Sequence, residues 1–396
     1  MRTPEPIRHG QAAARTVSAQ AAFAGLLAAF VGFASSFAVV LQGLRAAGAN
    51  QEQAASGLMA LSIAMGVCGI VASLRRREPI SIAWSTPGAA LLATSGTQEG
   101  GFQAAVGAFL LCGLLVVIAG LWRPLGRAVA SIPPAIANAM LAGVLLGLCL
   151  APVRAVGSVP ALGLPVVVTW AVVFRFRRLY AVPAAVAVTF ALIAFTQPVG
   201  TASAWWPRPV LVTPSWSWSA VIGLGLPLFL VTMASQNIPG LAVLGVNGYR
   251  PHPGPLFRIT GVFSLLAAPF GGHAVNLAAI TAALCAGPDA HPDPGRRYWA
   301  AVIGGAGYVG LGLLASAATA FIAASPPVLI EAVAGLALLG AFGSALLGAV
   351  SEVEGREAAL ATFLVTASGQ AFLGVSGAFW GLVAGGALWA LGRWRA

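Results

Sequence analysis

Two short polar stretches interrupt apolar segments and could together hold a small ligand. The first lies in PISIAWSTPGAALLATSG, residues 79–96, which reads as a short strand followed by a helix that begins at Ser85-Thr86-Pro87. A Ser85 or Thr86 hydroxyl can cap this helix, Pro87 suits its start because proline lacks an N–H group, and Gly88 permits close approach. A helix that begins there presents unsatisfied N–H groups, which is the chemistry of anion binding.

The second stretch is APFGGHAVNLAAITAALCAG, residues 268–287, in which one proline and two glycines precede a helical run. We expect this helix to open near His273 or Ala274. If the two stretches belong to inverted repeats, the two helix N-termini face one small volume inside the membrane. Two such positive ends favour a carboxylate without any buried arginine.

Polar and aromatic side chains of the first and eighth spans complete the predicted pocket, with Phe33, Phe37 and Trp84 as ring contacts for an aromatic guest. The alternatives are packing for the aromatic residues and interhelical hydrogen bonding for the Ser-Gln-Asn run. The candidate substrate-binding residues are Ser35, Ser36, Phe37, Trp84, Ser85, Thr86, Pro87, Gly88, Ser235, Gln236, Asn237, Gly272, His273, Ala274, Val275 and Asn276.

Two ionisable residues inside apolar segments are candidates for proton coupling. His273 lies at the predicted helix break, where a bound carboxylate would favour its protonated form; the alternative is a neutral histidine that caps the half-helix. Glu331 is the other intramembrane ionisable group, and its alternative is a first-turn carboxylate open to the outer water.

The elements that position these residues must be membrane spans. Of the 396 residues, 59% are hydrophobic and 8% are charged, with a mean hydropathy of +0.89, so too little polar surface exists for a soluble body. Four cysteines lie inside apolar segments without paired spacing, which predicts neither disulfides nor a zinc site. The loop residues Asp289, His291 and Asp293 favour a turn over a metal site, and no cofactor is expected.

All 21 basic residues are arginines, dispersed between apolar segments rather than on one basic face, which argues against a nucleic-acid partner. A model with fourteen spans and both termini in the cytoplasm places 18 of them inside and only Arg45, Arg154 and Arg208 outside. The loop around Trp205, Trp206, Trp216 and Trp218 then lies on the outer face, where the indoles anchor at the interface.

Short internal sequence repeats divide the chain into halves. PPAIANAMLAGVLL at Pro133 recurs as PPVLIEAVAGLALL at Pro326, an offset of 193 residues, and Ala34-Ser35 recurs as Ala234-Ser235 at an offset of 200. Seven spans per half is an odd number, so the halves are inserted with opposite orientation, which is the plan of secondary transporters. The predicted organisation is a cytoplasmic segment 1–20, a first repeat 21–200, an extracytoplasmic loop 201–218 and a second repeat 219–396.

The strings PISIAWSTPGAALLATSG, LAVLGVNGYRPHPGPLFRITG (241–261) and FGGHAVNLAAITAALCAG resemble the bacterial benzoate:proton symporter family (BenE), from about residue 20 to the C-terminus. The resemblance implies a fold similar to the uracil permease type: a core domain of spans 1–4 and 8–11, with broken spans 3 and 10, and a gate domain of spans 5–7 and 12–14. It also implies benzoate import with a proton at a bacterial inner membrane. Uracil permease types carry carboxylates where this chain has Ser235 and Ile280, so their coupling residues do not transfer.

Other functions compatible with this fold are transport of another organic anion or a nucleobase, and an anion channel. The neutral pair Gln236-Asn237 suits a carboxylate better than a neutral base, because no fixed negative charge would meet the substrate. No nucleophile, base and orienting residue occur together, so we expect no enzyme. Glycines of the gate spans, such as Gly143, Gly147, Gly340 and Gly343, permit close helix packing and, as one option, a homodimer.

Overall fold

The computed structural model describes residues 17–122, 124–125, 132–196, 207–278, 280–324, 326–370, 372 and 375–394. The predicted roles of Trp205 and Trp206, and most of the segment 1–20, lie outside these residues. Trp216 and Trp218 are described and exposed, at 64% and 81% of their surface, as membrane-interface anchors require.

The first half of the chain contains nine helices and one short strand among the described residues. In order they are α1 (Ala19–Ala34), α2 (Phe37–Ala46), α3 (Gln51–Arg76), β1 (Ile82–Trp84), α4 (Thr86–Ser95), α5 (Gly101–Leu121), α6 (Pro134–Cys149), α7 (Ala151–Ser158), α8 (Pro160–Phe176) and α9 (Ala181–Thr196).

The second half repeats this pattern of long helices around one strand and a half-helix. Its elements are α10 (Trp218–Val246), α11 (Pro253–Ala267), β2 (Val275–Leu277), α12 (Ile280–Ala286), α13 (Tyr298–Gly312), α14 (Ala315–Ala324), α15 (Pro327–Val350), α16 (Arg356–Ala367) and α17 (Gly377–Trp394). Helix α10 contains π-helical turns at Val221–Gly225 and Met233–Asn237.

Within the described residues, seven helical segments are long and apolar enough to cross a membrane, and an eighth is formed if 294–312 and 315–321, bent by 57°, count as one span. The number of fourteen spans stays a prediction, because the remaining segments are shorter. The broken spans are short for a physical reason: each gives part of its length to an extended strand.

Helix packing follows the inverted repeat. Helix α3 packs on α13 and α5 packs on α11, and exchange of the two halves converts one pair into the other. Both contacts depend on glycine: a Cβ on Gly305 would lie 2.6 Å from the Gly66 carbonyl oxygen, and one on Gly261 would lie 2.9 Å from the Gly113 carbonyl oxygen. Small residues thus bring the helix backbones together, as is common in membrane proteins.

The two strands pair antiparallel at the centre of the fold, with Ile82 opposite Leu277 and Trp84 opposite Val275. The pairing continues at each end, where the Ser85 N–H donates to the Ala274 carbonyl and the Ala278 N–H donates to the Ser81 carbonyl, at 2.9 and 3.0 Å. Each strand leads into a half-helix, and the two half-helices leave this ribbon at opposite ends.

The predicted start of the second half-helix near His273 or Ala274 is wrong, because α12 begins at Ile280. The preceding residues are held as a strand by side chains distant in sequence. Ser264 Oγ accepts from the Val275 N–H at 2.9 Å, and Asn237 Oδ1 accepts from the Leu277 N–H at 2.9 Å. Those backbone donors are therefore satisfied without a helix.

Candidate functional site

A cavity of about 120 Å³ lies in front of the two-stranded ribbon. It is bounded by the break between α1 and α2, by the starts of both half-helices, and by α3, α10, α13 and α15. The residues that line it are Val31, Gly32, Ser35, Ser36, Met65, Ala83, Trp84, Thr86, Pro87, Gln236, Ala278, Thr281, Tyr308, Ala337, Leu338 and Ala341.

Ser85 caps helix α4, as one of the two predicted options. Its Oγ accepts from the Gly88 N–H at 3.1 Å and from the Thr232 hydroxyl at 2.9 Å, and its side chain is fully buried. Pro87 has no N–H group, and the Gly88 N–H already donates to Ser85. The first turn therefore keeps one free backbone donor among the described residues, the N–H of Thr86. Thr86 and Pro87 line the cavity; Ser85 and Gly88 lie behind them.

Trp84 connects the ribbon to the break in the first span. Its Nε1 donates to Ser36 Oγ at 2.9 Å, and only 2% of its surface is exposed. Its ring lies 5.4 Å from that of Phe33, which stacks on Phe37 at 5.6 Å. Trp84 lines the cavity, while Phe37 does not line it and packs α2 against α1 through Phe33.

The serines of the break repair the interrupted helix. Ser36 Oγ donates to the Gly32 carbonyl at 2.9 Å and Ser35 Oγ donates to the same oxygen at 3.3 Å. Both protons are therefore used within the protein, and a ligand finds only acceptor capacity on these two hydroxyls.

The Ser-Gln-Asn run lies on the second π-helical turn of α10, and its members face different surroundings. Asn237 is fully buried, accepts from the Leu277 N–H and lies 3.2 Å from Met233 Sδ through its Nδ2, so it ties α10 to β2. Ser235 is half-buried and does not line the cavity. Gln236 lines it, and no protein partner is recorded for its amide among the described residues. A π-turn often marks a functional position, and here it directs one amide into the cavity.

The predicted residues around His273 do not line the cavity. His273 is fully buried, its Nδ1 accepts from the Ala274 N–H at 2.7 Å, and its ring meets Phe109 edge-on at 6.3 Å. Gly272, Ala274, Val275 and Asn276 are also buried and do not line the cavity. The reason is the strand: residues before Ile280 belong to the ribbon rather than to the first turn of the half-helix.

Sequence reasoning missed Thr281 and Tyr308, which face the cavity at the α12 end. Thr281 Oγ1 lies 2.8 Å from Ser81 Oγ, and the Tyr308 hydroxyl donates to the Ala28 carbonyl at 3.3 Å. Gly32 makes room for both, because a Cβ there would clash with the Tyr308 hydroxyl and lie 3.0 Å from Thr281 Cγ2. Thr281 is the second residue of the half-helix that begins at Ile280, so a correct prediction of that start would have identified it.

Helix α15 closes the cavity opposite the ribbon with Ala337, Leu338 and Ala341, an apolar wall. Glu331 lies on the same helix, half-buried, six residues before Ala337, which is about 9 Å along the helix axis. It therefore does not reach the cavity.

The predicted turn at residues 289–297 holds its own polar groups. Asp293 Oδ1 accepts from the Gly295 N–H at 2.8 Å, and His291 Nδ1 accepts from the Asp293 N–H at 3.0 Å. No cluster of three or more His, Cys, Asp or Glu side chains that could hold a metal occurs in the part of the chain that the structure describes.

The cavity with its paired half-helices belongs to a fold that solved structures share. The transmembrane domain of the cyanobacterial bicarbonate transporter BicA superposes with a TM-score of 0.63 at 14% identity, covering 93% of this chain and 98% of that one. SLC26A9 superposes with a TM-score of 0.62 at 13% identity, covering 94% of this chain and 65% of that one. The protein is a multi-pass membrane protein with the seven-plus-seven inverted-repeat fold.

The chain belongs to the BenE family, whose model, described as benzoate membrane transport protein, matches residues 15–391. It is 41% identical over 366 residues to the inner membrane protein YdcO of Escherichia coli strain K12, covering 92% of this chain and 93% of the relative. It is 35% identical over 373 residues to the benzoate membrane transport protein of Acinetobacter baylyi, covering 93% and 94%. The family is one of membrane transporters, not enzymes.

Proposed function

We propose that this protein imports benzoate together with a proton by alternating access, at a bacterial inner membrane with both termini in the cytoplasm. The observation that carries the proposal is the cavity itself: it touches the first turn of both half-helices and has an apolar wall opposite. A carboxylate needs the former and an aromatic ring needs the latter. The 35% identical relative named as a benzoate transport protein supports the choice of substrate.

The carboxylate of the substrate is placed at the α4 end of the cavity. Thr86 offers its backbone N–H and hydroxyl there, and the Gln236 amide offers two further donors. Ser35 and Ser36 shape this end without donating to the ligand. The positive end of the α4 dipole favours the anion, and no arginine is found among the described residues that line the cavity.

Alternating access requires two bodies that move against one another, and we assign these as in the sequence analysis. The helix pairs α3–α13 and α5–α11 form the proposed core, and α6–α15 and α16–α17 belong to the proposed gate. This assignment puts the cavity between the two bodies, and it is supported by the lining, to which α15 contributes its apolar wall and the ribbon contributes Ala83 and Trp84. Among the gate glycines, Gly143 packs tightly on α16, while Gly147, Gly340 and Gly343 face open space.

His273 and Glu331 remain the proton-coupling residues to test, although neither lines the cavity. His273 is the stronger candidate because its Nε2 is buried with no hydrogen-bond partner recorded among the described residues. It also immediately precedes the ribbon that carries the binding site. Its protonation would therefore act on the substrate through β2 rather than by contact.

The test is uptake of labelled benzoate into proteoliposomes with and without an imposed pH gradient. Proton symport predicts accumulation above the equilibrium level only when the outside is more acidic, and His273→Ala should abolish the dependence on the gradient. A channel would equilibrate benzoate without accumulation. Competition by nucleobases or aliphatic carboxylates, but not by benzoate, would replace the substrate assignment.

A further inference from the structure

Polar groups line the cavity at both ends of the ribbon, yet benzoate has only one polar end. The α4 end carries Thr86 and Gln236, and the α12 end carries Thr281 and Tyr308. Resting on the proposed function, we propose that the α12 end is a subsite for a hydrogen-bond donor at the para position, so that the preferred substrates are para-hydroxy or para-amino aromatic carboxylates.

The α12 end is built from buried hydroxyl groups. Ser81, Thr281 and Tyr308 are each more than nine-tenths buried, and two of them face the cavity. The Thr281 hydroxyl bonds to those of Ser81 and Tyr308, and the Tyr308 proton is committed to the Ala28 carbonyl. These bonds leave the hydroxyl oxygens of Thr281 and Tyr308 at least one lone pair each, so the subsite accepts a hydrogen bond from a ligand.

An apolar ring edge placed against these oxygens would leave their remaining lone pairs without a partner. Burying an unpaired polar group is unfavourable, whereas a ligand hydroxyl that donates to it restores the hydrogen bond lost from water. The same chemistry excludes a second carboxylate, which is an acceptor only when ionised and would bring a second charge into the cavity. The subsite therefore distinguishes a donor from a methyl group and from an anion.

The length of the ribbon favours the para position. The polar groups lie beside its two ends, since Thr86 follows Ser85 and Thr281 bonds to Ser81, and four residues of extended chain separate Ser81 from Ser85 by about 13 Å. A hydrogen bond of about 3 Å at each end leaves about 7 Å for the ligand. This is the span of a benzene ring that carries a polar substituent at each end of its long axis, and an ortho substituent would not reach.

The experiment measures affinity of the purified full-length protein for three compounds by titration calorimetry: para-hydroxybenzoate, para-methylbenzoate and terephthalate. The expected result is that para-hydroxybenzoate binds about 3- to 10-fold more tightly than para-methylbenzoate, the effect of one net hydrogen bond. Terephthalate should bind more weakly than either. The ratio of two affinities is the readout because it does not depend on the fraction of folded protein.

Thr281→Val and Tyr308→Phe should each reduce the hydroxyl-to-methyl ratio, and Thr281→Ser should restore it. Thr362→Val is the matched control: Thr362 is fully buried in α16, its hydroxyl donates within that helix at 2.9 Å to the Ala358 carbonyl, and it does not line the cavity, so the ratio should be unchanged. Equal affinities in the unmodified protein, or a ratio that survives both Thr281→Val and Tyr308→Phe, would overturn the subsite. Absent benzoate uptake with an intact ratio would overturn only the transport function.

Discussion

Gln236 provides the most direct test of the proposed carboxylate site, because it is the cavity-lining residue of α10 and glutamate can replace it with a side chain of the same shape. Gln236→Ala removes two donors, and a hydrogen bond to a charged group contributes about 1.5–3 kcal/mol. The expected rise in the Michaelis constant for benzoate is therefore about 10- to 150-fold at pH 7. The maximal rate should change less, since the lost contact is made with the ground state as well.

Gln236→Glu keeps the size of the side chain but places a carboxylate against the carboxylate of the substrate. Two like charges about 4 Å apart at an effective dielectric constant of about 20 repel by about 4 kcal/mol. Transport should thus fall further than in Gln236→Ala at pH 7. Acidification toward the ordinary glutamate pKa of about 4.3 protonates the new side chain and should recover part of the loss.

The assay is initial-rate uptake of labelled benzoate into proteoliposomes over a range of pH and substrate concentrations. Gln103→Glu is the matched control, since Gln103 is exposed near the start of α5 and the same change there should leave uptake unaltered. A Michaelis constant for Gln236→Glu equal to that of the unmodified protein would refute the placement of the carboxylate. A loss of uptake in Gln236→Ala with unaltered, pH-independent uptake in Gln236→Glu would show that Gln236 only shapes the cavity.

Three further predictions follow from separate parts of the molecule. Ala341→Trp places an indole from the apolar wall into the cavity and should abolish benzoate uptake, while the detergent-solubilised protein keeps its normal elution on size-exclusion chromatography. Uptake at the normal rate would contradict the cavity as the transport site. Arg297→Gln removes hydrogen bonds of 2.7 and 2.9 Å to the carbonyls of His291 and Ala286 at the end of α12, so the melting temperature should fall, with Arg297→Lys intermediate. Burial raises the pKa of Tyr249, which lies beyond the end of α10, to about 12. The folded state therefore keeps a proton that the unfolded state loses near pH 10, so the free energy of unfolding should fall from about pH 10 to about pH 12. In thermal denaturation, Tyr249→Phe should lose this pH dependence.

Local sequence predicted those parts of the fold that depend on neighbouring residues. The interruption at residues 79–96 was predicted correctly as strand then helix, because Ser85 and Pro87 act within one turn of their own positions. The inverted-repeat fold followed from the odd number of predicted spans per half and from the family resemblance, and the solved structures confirm it. Composition alone was enough to predict a membrane protein, since the solvent acts on the whole surface.

Tertiary structure decided which residues reach the cavity. His273 and Asn237 looked like ligand contacts from their place beside a break, but Asn237 binds the backbone of β2, and His273 is buried against Ala274 and does not line the cavity. Thr281 and Tyr308 face the cavity only because Gly32, about 250 residues away in sequence for Thr281, leaves space for them. A residue's type and immediate neighbours set its local backbone, whereas the direction in which its side chain points inside a bundle depends on strand pairing and helix packing between distant segments, which no local pattern records.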